Sequence, residues 1–326
     1  MRPQYRQQGA ASLVHASDIA RVGPPRGEPA PSSTPRRHAL ARRLVARGAA
    51  TFLAVTGVLS FDLASAIGGT IARIIGPHLA VTRRARRNLG LALPHLSAAE
   101  RRRIIREMWD NLGRTMAEYA HLSRLRCFAP GAHRGRRDAA CRSSGCPRQA
   151  ADLLLRPSRQ LGGGQRRGRA IRVELAQIYR AANNPDVEAM MVQLRKSLGV
   201  EPIRKGAAGA RRIIAALRQG KNLAMLVDQK MNDDIAVPFF GRPAMTAPAL
   251  AELALRYDCT VLPVRVDRLG GARFRLTFFP PLHFDRSGDR RRDILNAMTT
   301  VNCCLEDWIR ERPGQWFWLH RRWPES

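Results

Sequence analysis

The chain has 326 residues, of which 56 are basic and 26 are acidic, so its formal net charge is +30. Apolar residues make up 44% of the sequence, which is enough to form a buried core and excludes a wholly disordered chain. Six cysteines are too few for a disulfide-stapled scaffold of this length. The positive charge favours an anionic partner, namely nucleic acid, anionic lipid or a phosphorylated small molecule.

The first 47 residues are predicted to form a disordered basic tail. Residues 1–35 are rich in Arg, Pro, Gly and Ser and show no apolar period, so they cannot bury enough surface to offset the entropy of ordering. We see no compact apolar stretch with a small-residue cleavage site there, as a secretory signal would have.

Residues 48–82 are the most apolar part of the chain. Residues 52–71 contain a single charge, Asp62, and just reach the roughly 20 residues that cross a bilayer. Gly, Ser, Thr and Ala weaken that signal, and Arg residues flank it on both sides without the asymmetry of the positive-inside rule. We interpret residues 48–82 as a membrane-embedded or interfacial anchor helix, with a full span and a buried soluble helix as alternatives.

A long amphipathic helix is predicted next. Ser97 and Glu100 form a capping box, in which the two side chains satisfy free N–H groups at the start of a helix. Apolar residues then recur at three- and four-residue steps as far as about Leu125. They are Ile104, Ile105, Met108, Trp109, Leu112, Met116 and Tyr119.

Beyond Tyr179, predicted helices alternate with predicted strands. The helices are 185–198, 207–219, 248–257 and 289–310, and the strands are 222–227, 260–266 and 273–279. This alternation predicts an α/β fold with a mixed sheet covered by helices, preceded by the N-terminal membrane-anchoring helix. Ligands of such sheets bind at the carboxyl ends of strands. Asp228 and Gln229 follow the strand 222–227, so we predict that they bind substrate.

Six segments together carry a family resemblance. They are RARRNLGLALP at 84–94, the helix with Trp109, Gly113 and Glu118, YRAANNP at 179–185, DQ at 228–229, the pair VPFFG and TAPALAELA at 237–241 and 246–254, and PGQWFWLHRRW at 313–323. In this order they resemble the lipid A biosynthesis (lauroyl-type) acyltransferases of bacteria, within the wider lysophospholipid-acyltransferase-like superfamily. The resemblance covers roughly residues 50–126 and 177–324 and makes 83–326 an acyltransferase domain.

The resemblance implies a reaction in lipopolysaccharide biosynthesis. A fatty acyl group moves from an acyl carrier protein (or coenzyme A) thioester to a hydroxyl of a lipid A precursor. The His of a His-x4-Asp/Glu motif removes the hydroxyl proton and the carboxylate orients the ring, with no metal or other cofactor. Arg180 would bind a phosphate or the oxyanion. The implied partners are the carrier protein, the anionic precursor and the cytoplasmic face of the bacterial inner membrane, with no nucleic acid.

The implied catalytic motif is missing from its expected place shortly before Tyr179. Residues 127–175 hold eleven Arg and seven Gly and show no helical or strand period. His133 and Asp138 have the His-x4-Asp spacing, but no apolar strand precedes them and they lie far from Tyr179. The cysteines and histidine in this stretch lack the paired spacing of a zinc site, so we expect no metal.

We interpret residues 127–175 as translated out of frame between two compensating frameshifts, near Arg126 and near Leu175. A genuine Arg-rich insertion is the alternative. On the first interpretation the printed chain is catalytically inactive. Two other functions stay open, a lipid-binding pseudoenzyme of the same fold and a basic nucleic-acid-binding protein. The sequence shows no recognisable nucleic-acid-binding module, which disfavours the second.

Overall fold

A computed structural model gives the fold. It describes residues 36–124, 126–128, 137–142, 152–157, 175–197, 200–228 and 235–323. The chain divides into two compact units, Met1–Val45 and Ala46–Ser326, and the elements below belong to the second unit except for the start of the first helix.

Helices and strands alternate along most of the second unit. The α-helices are α1 (Arg36–Val58), α2 (Phe61–Ile75), α3 (Thr82–Ala92), α4 (Ala98–Glu118), α5 (Pro185–Ser197), α6 (Ala207–Arg218), α7 (Ala249–Tyr257) and α8 (Arg290–Glu311). The strands are β1 (Arg126–Phe128), β2 (Arg137–Arg142), β3 (Asp152–Pro157), β4 (Leu175–Tyr179), β5 (Glu201–Arg204), β6 (Asn222–Leu226), β7 (Ile235–Phe239), β8 (Arg242–Thr246), β9 (Cys259–Gly270) and β10 (Arg273–Phe278). Short 3₁₀ turns cover Gly76–His78, Tyr119–Arg124 and Pro313–Gln315.

Eight of these strands form one mixed sheet, in the order β1-β2-β10-β9-β3-β6-β4-β5. Strand β4 is parallel to both β5 and β6, and the other pairs are antiparallel. Helices α5 and α6 connect the three parallel strands, as parallel pairing requires. Strands β7 and β8 form a separate hairpin. The predicted α/β class with a mixed sheet is confirmed.

Residues 127–175 show no strand period in the sequence, yet the structure contains strands there. Strands β2 and β3 lie within this stretch, and β3 occupies the position between β6 and β9, antiparallel to both. The run Leu153-Leu154-Leu155 is only three residues long, which is too short for a period to be recognised. Strands β6 and β9 offer backbone groups on both sides, so a short apolar run is enough to complete the sheet.

The segment predicted as one anchor helix is two helices. Helix α1 begins at Arg36, inside the predicted tail, and ends at Val58. Helix α2 starts afresh because Ser60 is its N-cap and its Oγ accepts a hydrogen bond from the Leu63 N–H. Among the described residues we find no helix with the length and apolar content to cross a bilayer. The structure therefore gives no support to a single membrane-anchoring helix.

Helix α2 packs closely against α4. A methyl group added at Gly113 would lie 2.1 Å from the Gly68 carbonyl oxygen, so only glycine permits this approach. The same two helices are also joined by a hydrogen bond, in which the Ser65 hydroxyl donates to Oε1 of Glu118 at 2.7 Å. The capping box of Ser97 and Glu100 is present at the start of α4, as predicted. The glycine contact and the Ser65–Glu118 hydrogen bond attach α2 to α4.

Candidate functional site

The carboxyl ends of the three parallel strands meet at one edge of the sheet. Arg180 comes directly after β4, and Asp228 lies two residues after β6, the neighbour of β4. The sheet order therefore brings two of the predicted binding residues to the edge at which α/β proteins bind ligands. Gln229 lies outside the described residues.

Asp228 is buried beside a histidine from the C-terminal segment. It is 2% exposed, and its Oδ2 lies 3.9 Å from Nε2 of His320. Its Oδ1 has no hydrogen-bond partner in the described part of the chain. This distance allows an ion pair when the imidazole is protonated but is too long for a hydrogen bond.

The position of His320 depends on a residue of the first motif. The Asn88 side-chain amide donates to the carbonyl oxygens of Trp318 and His320, each at 2.8 Å. Asn88 is 1% exposed on α3, so these bonds are shielded from water. The motifs at 84–94 and 313–323, far apart in sequence, are therefore joined directly.

A buried arginine joins the last motif to the central block. Arg322 is fully buried and donates to the Asn302 Oδ1 at 3.1 Å and the Thr246 Oγ1 at 3.3 Å. Its guanidinium lies 4.7 Å from the ring centroid of Phe239. The sequence allows either a core role or a membrane-interface role for the three tryptophans of this segment. The structure buries all three in the core. They are Trp316, Trp318 and Trp323.

Arg180 stands on a loop that Glu188 orders. The Tyr179 hydroxyl donates to Oε1 of Glu188 at 2.6 Å, and the Ala182 N–H donates to Oε2 at 2.8 Å. Burial, followed by the bond to Glu188, raises the pKa of Tyr179, so the phenol keeps its proton and donates it. Arg180 itself is exposed, as a residue that meets a charged ligand should be.

A basic cavity of about 480 Å³ lies beside this loop. Its lining includes Tyr179, Lys196, Arg204, Arg212 and Glu201. Glu201 accepts hydrogen bonds from Lys221 and Arg212, which lower its pKa and keep it ionised. Three basic side chains against one carboxylate leave the cavity with net positive charge, which suits an anionic group.

Of the two residues with the His-x4-Asp spacing, the structure describes only Asp138. His133 lies outside the described residues. Asp138 is on β2, opposite Thr277, and β2 is four strands from β6 in the sheet order. At the usual strand separation this is about 19 Å, too far for Asp138 to act with Asp228.

The thiols of two described cysteines stay protonated near neutral pH. Burial raises the pKa of both Cys259 and Cys304 to about 11, so neither thiol ionises near neutral pH as a nucleophile must. Within the ranges that the structure describes, we find no group of three or more His, Cys, Asp or Glu side chains that could hold a metal ion.

Two functional neighbours were not predicted from the sequence. The sequence places His320 only within the motif at 313–323, and its approach to Asp228 joins residues 92 positions apart, as their numbers show. Glu188 carried no local signal beyond its place in the first turn of α5. Long-range contacts of this kind leave no trace in a local pattern.

The family model of bacterial lipid A biosynthesis acyltransferases matches residues 35–126 and 170–325. With most of its length matched, the chain belongs to this family. A comparison with curated proteins finds no match. The unmatched residues 127–169 lie between the two matched stretches and include His133 and Asp138.

Proposed function

We propose that the protein, once residues 127–175 are read in frame, transfers a fatty acyl group from an acyl carrier protein or coenzyme A thioester to a hydroxyl of a lipid A precursor. The observation that carries the proposal is the family match on both sides of residues 127–169. Arg180 at the sheet edge and the basic cavity beside its loop support it, because the acceptor carries phosphates and acidic sugars. The reaction needs no cofactor besides the thioester.

We place this reaction at the cytoplasmic face of the bacterial inner membrane. One stripe of helix α2 exposes large apolar side chains, which recur at three- and four-residue steps and end in an adjacent pair. They are Leu63, Ile67, Ile71, Ile74 and Ile75, between 41% and 62% exposed. An exposed apolar stripe of this kind indicates an interaction surface, here called the α2 stripe. It supports an interfacial helix, which lies in the membrane surface and does not cross it.

Basic residues follow the α2 stripe directly. Helix α3 carries Arg83, Arg84, Arg86 and Arg87, and the Arg86 guanidinium donates to the Pro77 carbonyl in the turn after α2 at 3.0 Å. That bond holds Arg86 at the end of the stripe. Cationic side chains beside an apolar helix face strengthen binding to anionic lipid. An anionic membrane is therefore the surface that this region fits best.

Replacing Ile71 and Ile74 by Asp is expected to weaken binding to anionic vesicles tenfold or more. Burying one such side chain is worth roughly 1.5–3 kcal/mol, and both gains would be lost. Vesicle co-sedimentation at low and high salt measures the effect. Leu295→Asp, at an exposed apolar residue on α8, is the control and should bind normally. Wild-type protein that leaves membranes in high salt bound to RNA would favour the nucleic-acid alternative.

Arg180→Ala is expected to lower affinity for the lipid A precursor about tenfold. A charge-assisted hydrogen bond to a phosphate contributes roughly 1.5–3 kcal/mol. Equilibrium binding in detergent micelles measures it, and the matched control is Arg218→Ala, an exposed arginine at the end of α6. If wild-type protein shows no affinity for the precursor, the proposed function is contradicted. Equal losses in both variants would mean that Arg180 contributes only general charge.

A further inference from the structure

Asp228 is a buried carboxylate whose bonding is incomplete. Its side chain is 3% exposed, and Oδ1 meets no hydrogen-bond donor among the residues that the structure describes. A buried polar atom without a partner costs folding free energy unless something else satisfies it. Since Asp228 follows the carboxyl end of β6, a ligand is well placed to supply the missing donor.

His320 faces the other oxygen of the same carboxylate. Its Nε2 lies 3.9 Å from Oδ2, and its side chain is 24% exposed, so the imidazole extends from the buried carboxylate towards the surface. The backbone of His320 is fixed by Asn88, and its ring packs edge-on against Phe317 with 4.8 Å between centroids. The imidazole is thus held by groups other than Asp228, as a residue that orients a neighbour must be.

We infer that His320 is a positioning residue for Asp228. When protonated, the imidazole attracts Oδ2 across 3.9 Å, which leaves Oδ1 for a hydroxyl or amide N–H group of the lipid acceptor. In this role Asp228 accepts a hydrogen bond, and no covalent bond forms or breaks. The identity of the ligand rests on the proposed function, because a lipid A precursor carries both kinds of donor.

The test compares wild-type protein with His320→Gln, Asp228→Asn and the double variant. Binding of the lipid A precursor and of acyl-coenzyme A is measured in detergent micelles, together with thermal unfolding. Asp228→Asn is expected to weaken precursor binding roughly tenfold, since a bond to a charged group is lost. His320→Gln should weaken it about threefold, and the double variant should bind no worse than Asp228→Asn alone. Acyl-coenzyme A binding should not change.

The matched control is His283→Gln, at an exposed histidine outside the described helices and strands, which should bind the precursor normally. Independent losses that multiply in the double variant would overturn the inference, as would an equal loss of acyl-coenzyme A binding. A wild-type protein that binds no precursor contradicts the proposed function instead. The melting temperatures of the same variants test whether His320 and Asp228 interact. Additive changes in melting temperature would overturn the contact, and non-additive changes would support it.

Discussion

Restoring the reading frame of residues 127–175 is expected to raise the rate of acyl transfer about 10²- to 10⁴-fold. That is the usual contribution of a positioned general base, and the family resemblance implies a His-x4-Asp/Glu motif for this role shortly before Tyr179, where the sequence does not show one. The printed chain should transfer acyl groups no faster than a no-enzyme control. The measurement is transfer from acyl carrier protein to the lipid A precursor by the two purified proteins.

One further variant shows whether the restored base causes the difference in rate. Replacing the restored motif's histidine by alanine should return the rate to that of the printed chain, which assigns the gain to the base. Printed protein with transfer well above the control would contradict the out-of-frame interpretation while supporting the proposed function. A restored protein that remains inactive on this acceptor would contradict the proposed function.

Glu118→Ala is expected to lower the free energy of unfolding by about 3–5 kcal/mol. Glu118 is 3% exposed, and its Oε2 accepts a hydrogen bond from Nη2 of Arg268 at 2.8 Å. Removing the carboxylate leaves the buried guanidinium uncompensated, which is among the costliest single changes. The contact connects α4 to β9, so its loss also loosens α2, whose Ser65 shares Glu118. Denaturant unfolding measures the change.

The control for this prediction is an ion pair that is exposed to water. Arg286 and Asp258 meet at 2.8 Å with side chains 55% and 76% exposed. Arg286→Ala should cost less than about 1 kcal/mol, because water screens exposed pairs. A Glu118→Ala protein as stable as the Arg286→Ala protein would show that the buried pair contributes little.

Local signals in the sequence were enough to predict several elements. The capping box of Ser97 and Glu100 fixes the start of α4, and Gly220 follows the end of α6 as the stop signal predicts. The apolar run before Asp228 predicts β6, and the alternation of helices and strands predicts the parallel part of the sheet. The predicted strands also fix where each strand ends. The positions of Arg180 and Asp228 at one edge of the sheet could therefore be expected.

Other features depend on information that a local pattern does not contain. The break between α1 and α2 rests on the Ser60 cap, which an average over a 20-residue apolar window conceals. Strand β3 forms because β6 and β9 flank it, and its own run is too short to be recognised. The bonds between Glu118 and Arg268 join residues 150 positions apart. Only the folded chain brings such groups together.

The coding DNA across residues 120–180 tests the central claim most directly. We expect a shifted frame between the codons near Arg126 and Leu175 to encode an apolar strand followed by His-x4-Glu or His-x4-Asp. Translation of that frame should extend the family match without a gap from 126 to 170. If neither shifted frame encodes such a strand and motif, the Arg-rich stretch is a genuine insertion and the claim is wrong.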